Sequence, residues 1–163
     1  MDRAVNGSTP LILPQLGPVY QALAPVAETL ARIVVGLALV PHGLRFSFGL
    51  FPNTGSRILS LSGLAALLDA HGYRPGRVWA VAIAILELVG GPCLALGLFT
   101  RPVALAAFIF LVMGVVEHLR FDGYFWNKLG LEYPMVWAAC MLLFIIHGGG
   151  PLSLDSLWVR YEF

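Results

Sequence analysis

Apolar residues run through this chain in long blocks separated by short polar clusters, without the alternation of strands. A block of about 20 apolar residues is long enough to cross a bilayer as a helix. Four blocks predict four spans. The first runs from about Val26 to Phe46 and contains Glu28, Arg32, His42 and Arg45. Pro41 lies within it, where the missing N–H is expected to kink the helix or loosen its last turn. The second, Val78 to Leu98, is uncharged except for Glu87. The third runs from Pro102 to about Leu119, with Thr100 placed to cap it and Pro102 suited to a first turn. The fourth runs from about Tyr133 to His147, opening at Pro134 and stopping at Gly148, Gly149, Gly150 and Pro151.

Between the first two spans, Ile58, Leu61, Leu64, Ala65 and Leu68 fall at helical spacing, and Gly72 follows as a stop. This helix is too short to span. It reads as an amphipathic segment on the membrane surface, with a hairpin helix buried in the protein as the alternative. The short link Phe99-Thr100-Arg101 makes spans two and three antiparallel neighbours. Tyr124, Phe125 and Trp126, with Trp79, Tyr133 and Trp158, sit at span ends as an aromatic belt. The fold class expected is all-α: a transmembrane four-helix bundle with an amphipathic interfacial helix between spans one and two. Residues 1–24 read as an N-terminal extension, 25–158 as the membrane domain and 159–163 as a tail.

Composition agrees. The chain is 58% hydrophobic and 12% charged, with mean hydropathy +0.81, against roughly 25% charged in soluble domains. A multi-pass protein of the cell membrane is expected, with the lipid bilayer as its first partner. A net charge of +1 gives no footprint for nucleic acid. Pro10 and Pro14 interrupt the first residues, so no cleavable signal peptide is expected. Cys93 and Cys140 lie in apolar segments without a CxxC pair and read as small hydrophobes. Arg3, Arg101 and Arg160 fall on one side, and Arg57, Arg74, Arg77, Arg120 and Lys128 on the other, a bias too small to orient the bundle.

A carboxyl group near mid-membrane costs a few kcal/mol, so Glu87 needs a partner or a use. Arg32 is the candidate partner, with Glu28 competing for it one turn away. Gly90 and Gly91 share the Glu87 face, and Gly36 and Gly43 extend that of Arg32, so both faces are expected to turn inward. One reading is an architectural ion pair that fixes register. The other is a carboxylate that handles protons or binds a ligand.

Alternating span direction places His42, Arg45, Glu117, His118 and Glu132 toward one side, and Arg32, His147 and Asp155 toward the other. Histidine with carboxylate can carry a proton, bind the head of a lipid-soluble quinol or hold a metal. Metal is the weakest of these, because neither HxxxH nor ExxH occurs. No nucleotide loop or nucleophile elbow is present. His42 and His147 are expected on opposite sides, so they do not share a haem. The candidate catalytic residues are Glu87, His42 and Glu117. The candidate cofactor-binding residues are Arg32, Arg45, His118 and Glu132. No metal, haem or nucleotide is expected.

Several pieces, in order, resemble the DoxX family of small four-helix integral membrane proteins. They are Arg32 with Gly36, His42-Gly43, Glu87-Leu88-Val89-Gly90-Gly91, Gly97-Leu98-Phe99-Thr100-Arg101, and Ser153-Leu154-Asp155 after a glycine-rich helix end. The resemblance covers roughly Leu30 to Asp155. Arg45 stands where the family commonly has lysine, and the proline of the closing turn is displaced. Arg32, His42, Glu87 and Asp155 occupy the family-like polar positions. Some members resemble the membrane subunit of thiosulfate:quinone oxidoreductase, others are associated with detoxification of quinones or thiol-oxidative stress, and distant relatives serve in assembly.

The resemblance implies a subunit of a quinone-linked membrane oxidoreductase, with quinone as cofactor and electrons from a membrane or peripheral protein partner or from a directly bound substrate. The alternative is a non-catalytic scaffold or assembly subunit, with Ile58–Leu68 and Tyr124–Trp126 as contact surfaces. The residues leave open whether the chain itself catalyses.

Overall fold

The computed structural model describes residues 11–53, 58–121 and 123–159, and every regular element among them is helical. The elements are α1 (Gly17–Phe48), α2 (Leu61–Ala70), α3 (Gly76–Leu96), α4 (Thr100–Phe121) and α5 (Glu132–His147). Arg3, Arg57 and Arg160, the first ten residues of the N-terminal extension and nearly all of the tail lie outside the described residues.

α1, α3 and α4 are each long and apolar enough to cross a membrane. The fourth expected span, α5, has 16 residues, about 24 Å of helix against a hydrocarbon core of about 30 Å. It runs along α4, and their facing residues make the larger core. Ala104, Ala107 and Leu111 meet Ala138, Met141 and Phe144 there, and Val35, Leu39 and Leu94 complete it.

α1 and α3 are held close by missing side chains. A Cβ on Gly36 would lie 2.6 Å from the Gly91 carbonyl oxygen and from the Ala95 nitrogen, and one on Gly91 would lie 2.7 Å from the Gly36 oxygen. The two backbones therefore touch, as small residues permit between membrane helices. α1 continues through Pro41 to Phe48 without a break.

The segment between spans one and two is a helix, as its periodicity predicts. Ser60 caps α2 by accepting from the Gly63 N–H at 3.1 Å. Its apolar face turns onto α3: Leu64 and Leu68 form a second core with Ala80 and Ile83. Asp69 reaches the start of α3, accepting from the Gly76 N–H at 2.8 Å.

α3 is interrupted by a π turn at Leu86–Gly90, where the Gly91 N–H donates to the Leu86 carbonyl. Pro92 follows at once. It has no N–H to continue the regular ladder, so the register shifts by one residue just before it. Glu87 sits inside this shifted turn.

Candidate functional site

Two polar groups of different kinds are built into the bundle, with a third at the α2–α3 turn. The first closes the end where α3 meets α4. Arg32 is 1% exposed. Its Nη1 donates to the carbonyls of Leu94 (2.9 Å) and Ala95 (2.7 Å), and its Nη2 to that of Leu152 (3.1 Å). Two of these carbonyls belong to the last turn of α3, where the regular intrahelical ladder runs out; the Leu94 carbonyl also accepts from the Gly97 N–H at 3.0 Å. Gly97 then turns the chain at φ +70°, and a Cβ there would lie 2.5 Å from Arg32 Nη1. Asp155 completes the arrangement. Its carboxylate accepts from the N–H groups of Phe99 (2.7 Å) and Thr100 (2.8 Å) and from the Thr100 hydroxyl (2.7 Å). It thereby caps the start of α4 from a distant part of the chain and holds Phe99 at φ +50°, a value costly for a bulky residue.

This geometry corrects the expected Arg32–Glu87 pair. Glu87 lies level with Gly43, where a Cβ would fall 2.9 Å from Glu87 Cβ. Arg32 is eleven residues away along α1, about 16 Å, beyond the reach of a guanidinium. Glu28 does not compete for Arg32 either: it lies 3.7 Å from His147 Nδ1.

The second group surrounds Glu87, which is 2% exposed. The π turn aims it at α1, and Gly43 leaves room for it. Its Oε2 is buried and accepts no hydrogen bond among the described residues. Arg45 acts on Glu87 electrostatically, and also on His42. The Arg45 guanidinium lies 4.6 Å from the centroid of the Phe46 ring. His42 itself is on the exposed side of α1.

The third group forms around Glu117. Its Oε2 is hydrogen-bonded to His71 Nδ1, and its Oε1 accepts from the Tyr73 hydroxyl at 2.9 Å. Arg120 stands 3.7 Å away. The hydrogen bond to Glu117, and then burial, push the Tyr73 phenol above its ordinary range. His71 and Tyr73 escaped sequence reasoning. The only signal was His71-Gly72-Tyr73 directly after a helix stop, which reads as a polar turn until α4 is brought beside it.

The five residues expected to cluster are thus divided. His42 and Arg45 belong with Glu87, and Glu117 with His71 and Tyr73. Glu132 accepts from the Trp126 N–H at 3.2 Å within its own loop. His118 follows Glu117 on α4, partly exposed. No three His, Cys, Asp or Glu side chains among the described residues converge as a metal site.

The class defined by this arrangement is a small helical integral membrane protein with one fully buried carboxylate in its second span. The DoxX family model matches residues 27–120, more than half of the 163-residue chain, and the chain belongs to the DoxX family. No curated protein and no solved structure matches it.

Proposed function

We propose that this protein is the membrane subunit of a quinone-linked oxidoreductase system of the cell membrane. The observation that carries the reading is Glu87 Oε2, a buried acceptor without a hydrogen-bond partner among the described residues. Among the described residues the buried hydroxyl and carboxylate groups of Thr100, Ser153 and Asp155 are engaged in hydrogen bonds, and the other buried side-chain atoms left without one are guanidinium Nε donors, that of Arg32 among them, so this oxygen is the one open acceptor. Such a group in a membrane helix marks a substrate or proton path more often than a structural accident. The π turn around it supports the same reading, since such bulges concentrate at functional sites.

The residues present fit a quinone headgroup. Glu87, when protonated, can donate from its open oxygen to a quinone carbonyl, Arg45 lends a nearby positive charge, and His42 stands on the exposed face of the same α1 turn. The quinone supplies two-electron, two-proton chemistry when bound, with electrons arriving from the redox centre of a membrane or peripheral protein partner. The chain's own part is to bind and to move protons. Glu87 holds a proton within the bundle, Arg45 orients negative charge, and His42 exchanges protons with the exterior.

The test is turnover in proteoliposomes with the electron-donating partner present. Glu87→Gln is expected to abolish quinone reduction while the protein remains folded and inserted. Unchanged turnover removes Glu87 from the mechanism. A wild-type protein that never supports turnover, yet co-purifies stoichiometrically with another membrane protein, establishes the scaffold reading instead.

A further inference from the structure

The His71–Glu117–Tyr73 group has a definite hydrogen-bond polarity. A carboxylate only accepts hydrogen bonds. Glu117 takes one from Tyr73 on Oε1 and is bonded to His71 Nδ1 on Oε2, with Arg120 close by. The His71 proton facing Glu117 is therefore on Nδ1. In neutral imidazole this leaves Nε2 as a bare acceptor. That nitrogen makes no hydrogen bond to a described residue and is not enclosed. The ring is 23% exposed and stacks on Phe121, with centroids 4.4 Å apart. Phe121, at the end of α4, is 62% exposed. The open nitrogen thus sits beside an exposed aromatic face at the end of a membrane helix. It is fixed in orientation by two independent contacts.

We propose that His71 Nε2 accepts a hydrogen bond from the ring hydroxyl of a quinol. The group is then a binding station for the reduced form of the carrier, and Glu117 and Tyr73 are its positioning residues. This rests on the quinone-linked reading above but concerns a different place. Tyr73 packs on the core of Leu64, Leu68, Ala80 and Ile83, and Ile83 is one helical turn before Glu87. The station discriminates by hydrogen-bond direction. A quinol hydroxyl donates and is accepted, whereas a quinone carbonyl offers a second acceptor to an acceptor and is refused.

The experiment compares binding of durohydroquinone and duroquinone to the full chain in lipid nanodiscs, alongside ¹⁵N NMR of its histidines. In wild type, His71 is expected to carry its proton on Nδ1, and Nε2 to shift when the quinol is added. The quinol is expected to bind about tenfold more tightly than the quinone, the effect of one hydrogen bond. His71→Ala is expected to remove the preference. Glu117→Gln presents an amide N–H to Nδ1 and moves the ring proton to Nε2, so the preference is expected to reverse toward the quinone. A purely structural contact predicts no reversal.

A wild-type His71 protonated on Nε2, or equal binding of both forms, overturns the proposal even if proteoliposomes turn over. A quinol preference that depends on His71, in a protein without turnover, upholds the station and removes the oxidoreductase reading. Binding of neither form, without turnover, overturns both.

Discussion

At the scale of single residues, Arg32 and Asp155 each make three hydrogen bonds from a buried side chain. Arg32→Met leaves three carbonyls without their guanidinium donors and the Asp155 carboxylate without a nearby positive charge, with a cost of about 3–5 kcal/mol, the scale for breaking a buried charge network. Arg32→Lys recovers little, because an ammonium cannot span carbonyls on both α3 and Leu152. Thermal melting in detergent measures both, and wild-type melting for Arg32→Met would show the clamp to be dispensable. Tyr73 gives a test by pH. Its phenol is raised by the Glu117 hydrogen bond first and by burial second. A raised folded value means that the contact stabilises fully below the unfolded phenol value of about 10 and is lost as pH rises through the folded value. In an alkaline titration of ¹³C-labelled tyrosines, Tyr73 is expected to ionise at higher pH in wild type than in Glu117→Gln. Equal titration in the two proteins contradicts the contact. The sequence gives each of these residues a depth but not a direction. Depth places Arg32 and Glu87 on neighbouring helices, whereas their separation along α1 is decided by the Gly36–Gly91 and Gly43–Glu87 crossings.

At the scale of elements, the glycines divide by what surrounds them. Gly36→Ala drives a Cβ into the backbone of α3 at 2.6 Å, where no side chain can move aside. It is expected to destabilise by at least about 1–3 kcal/mol, as overpacking does. Gly114, also helical, would place its Cβ 3.7 Å from Pro134 Cβ, an ordinary contact. Gly114→Ala is therefore expected to stabilise by about 0.5–1 kcal/mol through helix propensity. Melting midpoints that move in the same direction for both variants contradict the close α1–α3 approach. The helices themselves were legible, because long apolar runs bounded by Gly and Pro leave few alternatives. The π turn was not, since the pattern around Gly90, Gly91 and Pro92 announces a disturbance without its hydrogen-bond register. The α2 face was legible as apolar, but only the fold shows that α3 covers it.

At the scale of the whole molecule, α1 is longer than the bundle it serves. Its 32 residues make about 48 Å of helix. None of the residues from Leu11 to Leu30 is buried, and Arg32 already stands level with the end of α3. Removal of residues 1–24 is expected to shift the melting midpoint by less than about 2 °C; a larger loss shows that the extension packs on the bundle. Membrane class and family were both legible, because composition and dispersed motifs survive without knowledge of contacts. The division of the polar residues into separate groups was not, because it depends on how helices rotate about their axes. The central claim is that the Glu87 carboxyl, enclosed between α1 and α3, exchanges its proton when quinone is reduced. Redox-difference infrared spectroscopy of the reconstituted system measures this directly. A carboxyl C=O band that is lost on quinone reduction in wild type, as Glu87 gives up its proton, and no such loss in Glu87→Gln, is the predicted result. A spectrum identical in the two proteins contradicts it.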